Sequence, residues 1–296
     1  MTYLRANRQP RLRWIITVAL LAGLAGLVLS QVGAGPVAAG PAAAGAARAG
    51  STTSHGGAKP TVVLVHGAWA DSGSWDQVVA RLQSRGYTVI AFPNPLRGLP
   101  EDSAYLAAFL ETISGPIVLV GHSYGGAVIT NAATGHANVE ALVYVDAFLP
   151  AQGETIAQLV GAQPGSCLAG DPTQIFDLRP YPGAPPGAVD SYVKQSVFLS
   201  CFANDLPART AAVLAATQRP ASTVIIGQPS GPPAWAEIPS WALVGTADRV
   251  IPPAEQLFMA QRAHARIVKI KASHLPMVSR PGAVTRLILA AARSTA

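Results

Sequence analysis

Ile117-Val118-Leu119-Val120-Gly121-His122-Ser123-Tyr124-Gly125-Gly126 sets a buried-type strand directly against a glycine-rich turn that carries a serine. The apolar residues after it, through about Ala133, read as a helix. Strand, G-x-S-x-G turn and helix in that order form the context in which the pattern carries chemistry. A serine on so sharp a turn stands with its hydroxyl above the sheet. Side chains at Gly121 and Gly125 would crowd it, and the helix start puts free backbone N–H groups beside it.

Working outward, short apolar strands alternate with helical patterns, which indicates a parallel sheet with crossover helices. Strands are expected at Thr61–Val65, Thr88–Phe92, Ala141–Val145, Trp241–Val244 and Arg266–Ile270. Helices are expected at Ser74–Arg85, Glu101–Ile113, 253–263 and 281–292, on the spacing of their apolar residues. Between about 150 and 235 the alternation breaks into a Pro-, Gly- and Ala-rich stretch, with helical pieces expected around Ala188–Phe198 and Pro207–Ala216. An irregular insert between two sheet-forming halves reads as a cap over the sheet edge. The fold class is therefore α/β: a mostly parallel twisted sheet, helices on both faces, and a cap insertion.

Half of the 296 residues are hydrophobic and 12% are charged, enough to bury a sizeable core. The net charge of +6 is uneven. Arg5, Arg8, Arg11, Arg13 and Arg48 lie in the first 50 residues with no acid, and the rest holds 16 basic and 15 acidic residues. A near-neutral body lacks the clustered Lys and Arg of a nucleic-acid footprint, so no nucleic-acid partner is expected. Polar Met1–Arg13, the apolar run Trp14–Leu29 and small residues with A-x-A sites near Ala42–Ala46 have the order of a secretory leader. Residues 1–46 are read as a signal peptide, with an uncleaved membrane anchor as the alternative, 47–59 as a flexible linker, and 60–296 as the folded domain. The expected location is secreted or extracytoplasmic. Membrane association is expected only if the leader is retained. Export permits a disulfide between the two cysteines, Cys167 and Cys201.

A serine hydroxyl needs a base to become a nucleophile. Of the six histidines, His55 lies in the linker, His66 and His122 belong to glycine-rich motifs, and His136 and His264 sit near helix ends. His274 follows the last strand, in Ala272-Ser273-His274-Leu275-Pro276, where a loop opens onto the same sheet edge as Ser123. The acid that orients the base is expected at Asp248, in the Gly245-Thr246-Ala247-Asp248 segment after a strand; Asp146, after the fourth strand, is its rival. Chain order Ser, Asp, His suits this type of sheet. His66-Gly67-Ala68-Trp69 ends the first strand and supplies the second half of an oxyanion hole, assigned to the amides of Ala68 and Tyr124. Trp69, Phe148 and Phe198 are candidate pocket residues.

From Pro60 onward the chain resembles the α/β-hydrolase superfamily. More narrowly it is similar to the group of plant methylesterases, hydroxynitrile lyases and bacterial esterases. The H-G-A-W loop, the G-H-S-Y-G-G turn, G-T-x-D and the late S-H carry the likeness. The resemblance implies no metal, no organic cofactor, and a cap that shapes the pocket for a small-molecule ester. The lyases carry a lysine directly after the catalytic histidine, to receive cyanide; Leu275 stands there in this chain. Hydrolysis of carboxylic esters or lactones is thus the expected activity. A lyase-like or other non-hydrolytic enzyme, or an inactive binding protein on the same fold, is the alternative.

Overall fold

The computed structural model describes residues 59–295. The expected leader, and the expected linker apart from Lys59, lie outside the described residues. Among those described, no helix is long and apolar enough to cross a membrane.

Strand β1 (Thr61–Val65) is a β-branched, leucine-bearing run in which all but the first residue is buried. Such continuous apolar runs suit a parallel sheet covered on both faces. Strands β2 (Val89–Phe92), β3 (Ile117–Ser123) and β4 (Val139–Ala147) follow. Helices α1 (Asp76–Gln83), α2 (Leu99–Leu110) and α3 (Tyr124–Ala132) make the crossovers. The first expected helix is split: a 3-10 turn, Ser72–Trp75, capped by Asp71, precedes α1. Helix α2 begins two residues before the expected start because Pro100 fits its first turn.

After β4 the chain leaves the main sheet and builds a smaller antiparallel one from β5 (Phe176–Arg179), β6 (Asp190–Val193) and β7 (Ala221–Ser222). Helices at Ile156–Ala162 and Ala208–Thr217 accompany it. The expected helix around Ala188–Phe198 is corrected here. Its first half pairs as β6, register Ser191 opposite Leu178, and only residues from Gln195 turn helical. Sheet partners distant in sequence decided that segment. The main sheet resumes with β8 (Ser240–Gly245) and β9 (Arg266–Ile270), with the helix Pro253–Arg262 between them and the helix Pro281–Ala292 closing the chain.

The main sheet has six strands in the order β2-β1-β3-β4-β8-β9, all parallel. From β1 the chain moves one way to β2, then returns past β1 to β3 and continues the other way. The reversal therefore lies between β1 and β3. Loops diverge at such a switch point and leave a crevice at the carboxyl ends of the strands. Val65 lies opposite Gly121 in the register, so the loop after β1 and the serine turn after β3 flank that crevice.

Candidate active site

Ser123 ends β3 with φ 53° and ψ −124°, a backbone conformation that L-residues rarely adopt, and α3 starts at the next residue. Close packing allows this turn. A Cβ on Gly125 would stand 2.5 Å from the carbonyl oxygen of Val65, and one on Gly67 would stand 2.6 Å from the Ser123 Cβ. Both positions need glycine because another chain segment occupies the space.

The structure brings Ser123, His274 and Asp248 together across three strand ends. His274 Nδ1 donates to Asp248 Oδ2 at 2.8 Å, and its Nε2 lies 2.9 Å from Ser123 Oγ. With a proton on Nδ1, Nε2 is left to accept from the serine hydroxyl. All three residues are buried. Asp248 is held by its own turn. The N–H groups of Val250 and Ile251 donate to Oδ1 at 2.7 and 3.1 Å, and Gln256 donates to Oδ2 at 2.7 Å. An aspartate that accepts from amides two and three residues on is a common turn device. Gln256 was not foreseen, since nothing in a surface-type helix pattern marks a glutamine that turns inward.

His122 contributes structure. Its Nε2 donates to the backbone carbonyl of His274 at 2.8 Å, and the two rings lie 4.8 Å apart. Burial and the neighbouring His274 hold His122 well below the usual imidazole range, so it stays neutral. His66 is also buried; its Nδ1 donates to the Gly67 carbonyl at 2.9 Å, and burial lowers its pKa to about 4. Asn94 donates to the His66 carbonyl at 3.1 Å. The loop after β1 is further tied down by Trp69, whose backbone has φ 56° and whose Nε1 donates to the carbonyl and the hydroxyl of Ser191 on β6, both at 3.1 Å. Tyr124 is fixed by its hydroxyl, which donates to buried Asp102 at 2.8 Å.

Ala68, Ser123 and Tyr124 all line one cavity of about 440 Å³. Tyr124 is the first residue of α3, so its N–H has no partner within the helix. The rest of the wall is largely aliphatic and comes mostly from the segment between β4 and β8: Ile156, Val160, Leu168, Phe176, Ile225 and, from the acid loop, Val250. No charged side chain lines it among the described residues. Trp69 and Phe148 line the cavity as expected; Phe198 does not. Phe198 instead stacks on Phe202 at 5.2 Å, and Phe202 meets the edges of Trp69 and His274 at 5.7 and 5.4 Å. Phe198 thus supports the ring behind the site, where helical packing turned it. The aliphatic wall was invisible to the sequence because scattered Ile, Val and Leu look like ordinary core.

Cys167 and Cys201 are bonded, with Cα atoms 6.3 Å apart. The bond joins the strip beside the cavity wall to the helical turn holding Phe202. Cys167 N–H also donates to the Arg249 carbonyl at 2.8 Å, next to Asp248. Among the described residues, one group of acidic and imidazole side chains comes close enough to share an ion: Asp146, Asp248 and His274, with one polar atom each, all within 4.8 Å of one another. The hydrogen bonds already on Asp248 and His274 make that group an acid–imidazole cluster.

A hydroxyl hydrogen-bonded to an imidazole, an acid behind the imidazole, and the Tyr124 amide free at the start of α3, all at a topological switch point, form an arrangement able to attack a carbonyl carbon. This is the class of the nucleophile-elbow enzymes on a doubly wound sheet. The chain belongs to the alpha/beta hydrolase family, whose model matches residues 62–287. A pyrethroid hydrolase of Sphingobium wenxiniae is 30% identical over 236 residues, covering 74% of this chain and 83% of that protein. The crystal structure of a pyrethroid hydrolase from Sphingobium faniae superposes with a TM-score of 0.61 at 26% identity, over 79% of this chain and 98% of that one. An extracellular alpha/beta-hydrolase from a Paenibacillus species shares the fold, with a TM-score of 0.61 at 21% identity over 78% and 98% of the two chains. The protein is a hydrolase with esterase-like relatives.

Proposed function

We propose that the protein is an exported serine esterase that cleaves neutral, apolar carboxylic esters or lactones through an acyl-enzyme. The observation that carries this reading is the series Asp248–His274–Ser123, with links of 2.8 and 2.9 Å, opening into an uncharged cavity of about 440 Å³. His274 takes the Ser123 proton as the oxygen attacks the carbonyl carbon. The amides of Ala68 and Tyr124 receive the negative charge that forms on the carbonyl oxygen. Donors fixed before the reaction need no reorganisation, and each contributes about 3 kcal/mol in comparable centres. Asp248 keeps the proton of His274 on Nδ1 and stabilises the imidazolium. His274 then protonates the departing alcohol. A water, deprotonated by His274, releases the acid.

The absence of charge on the described cavity wall favours a substrate without ionised groups, because a charge buried there would find no partner. Two of the similar proteins are named as pyrethroid hydrolases, which supports a small-molecule substrate here as well. Leu275 and the apolar wall supply no cation to receive cyanide, which speaks against lyase chemistry.

Export is supported by the leader-like residues 1–46 and by the paired cysteines. Mass spectrometry of the mature N-terminus tests it: a mature chain beginning beyond the leader is expected, and an intact cytoplasmic chain refutes it. For the chemistry, Ser123→Ala is expected to fold normally, to lose hydrolysis of p-nitrophenyl esters by at least about 10³-fold, and to resist fluorophosphonate labelling. Turnover retained by that variant removes the serine from its role.

A further inference from the structure

Asp146 is the last residue but one of β4, beside the strand whose exit carries Asp248. It is fully buried and has φ 41°, so its position is imposed by its surroundings. One oxygen, Oδ1, accepts from the Gly245 amide at 2.5 Å. The other, Oδ2, is buried with no hydrogen-bond partner. Polar atoms of Asp146, Asp248 and His274 lie within 4.8 Å of one another. Two carboxyl groups that close in a water-poor site do not both ionise.

The partners decide which acid keeps the proton. Asp248 accepts from four donors: two backbone amides, Gln256 and His274. Asp146 accepts from one. The negative charge therefore rests on Asp248. Burial, followed by the charge of Asp248, pushes Asp146 well above the usual carboxylate range; the Gly245 N–H opposes this and Asp205 adds to it. Asp205 is itself paired with the Ser273 hydroxyl, and Arg280 stands 4.0 Å from it. A neutral Asp146 avoids burying an unpaired charge at the partnerless oxygen.

We propose that Asp146 is a positioning residue of the acyl-transfer centre: a proton-bearing second acid that takes over the negative charge, and the support of the imidazole, when Asp248 is neutralised. On that neutralisation the Asp146 proton passes to solvent and the site retains one carboxylate near His274. The proposal rests on the Ser123–His274 reading above.

Asp146→Asn, Asp248→Asn, the double variant and Ser123→Ala are compared on p-nitrophenyl butyrate from pH 5 to pH 9, with rates normalised to folded protein by near-UV circular dichroism. Asparagine at 146 still accepts from the Gly245 amide, so a merely structural role survives the change. Asp146→Ser, run in parallel, gives the same comparison with a smaller side chain. Asp146→Asn alone serves as the reference for the double variant. Loss of the only acid in a triad costs about 10⁴-fold; Asp248→Asn is expected to lose at least about tenfold less than that, and the double variant the whole of it. An imidazole near a carboxylate holds its proton to higher pH. The acid limb of kcat/KM is therefore expected at least about one pH unit lower in the double variant than in Asp248→Asn. Equal rates and equal limbs in those two variants, with Ser123→Ala dead, overturn the role of Asp146 alone. A live Ser123→Ala overturns the site reading and this proposal with it.

Discussion

Acidification acts on this fold through His66, at the start of the loop that carries Ala68. The ring is fully buried; Nδ1 donates to the Gly67 carbonyl, while Nε2 has no partner. Protonation would bury an N–H without an acceptor and a charge without a counter-ion. Burial is the largest influence and Arg219 acts in the same direction; the Gly67 carbonyl and Asp71 oppose them, and the pKa falls from 6.5 to about 4. The folded state thus binds fewer protons than the unfolded chain between those values. The stability this contributes is fully present above pH 6.5 and is lost as pH falls toward 4. Integrated, the loss from this one ring is about 2 kcal/mol at pH 5 and about 3 kcal/mol at pH 4. Against a total of about 5–15 kcal/mol for a typical domain, that is a sizeable share. The assay is urea unfolding followed by tryptophan fluorescence at pH 7 and pH 5, on the unmodified protein and on His66→Asn. The asparagine amide reaches where Nδ1 donates and does not titrate. Other acid-sensitive groups remain in both proteins and cancel in the difference; His122 does so nearly, since His66 is the smallest of the influences on it. The unmodified protein is expected to lose about 2 kcal/mol more than the variant between the two pH values. Equal losses refute the reasoning, because they show that His66 takes up its proton without penalty.

Two further predictions test the geometry. Gly67→Ala places a methyl 2.6 Å from the Ser123 Cβ and 2.9 Å from the His122 carbonyl oxygen; displacement of the serine by a few tenths of an ångström or more is expected to lower kcat by about 10²-fold with a smaller change in KM, checked by steady-state kinetics. Replacing Cys167 and Cys201 together by serine opens a loop spanning 34 positions; a stability loss of about 3–4 kcal/mol in urea unfolding is expected, and two free thiols in the non-reduced, unmodified protein would contradict the bond.

Much of this protein was legible from its residues alone, for a local reason. The strand runs, the glycine turn around Ser123, the H-G-A-W loop and the strand Arg266–Ile270 depend on neighbours in the chain, and short-range sterics and hydrogen bonding decide them. The identities of Ser123, Asp248 and His274 as candidates followed from the ends of such strands. Tertiary structure decided the rest. Only the end of Ala188–Phe198, from Gln195, is helical, because β5 and β7 recruit Asp190–Val193 into a sheet, and partners 11 to 32 residues away leave no periodic mark. Phe198 turned from the cavity to stack on Phe202, while unremarkable aliphatic residues took the wall. Asp248 was the expected acid and Asp146 its rival, since both follow a strand. Only the three-dimensional count of donors, four against one, separated the charged acid from the neutral one, because a proton goes where the surroundings offer the carboxylate least.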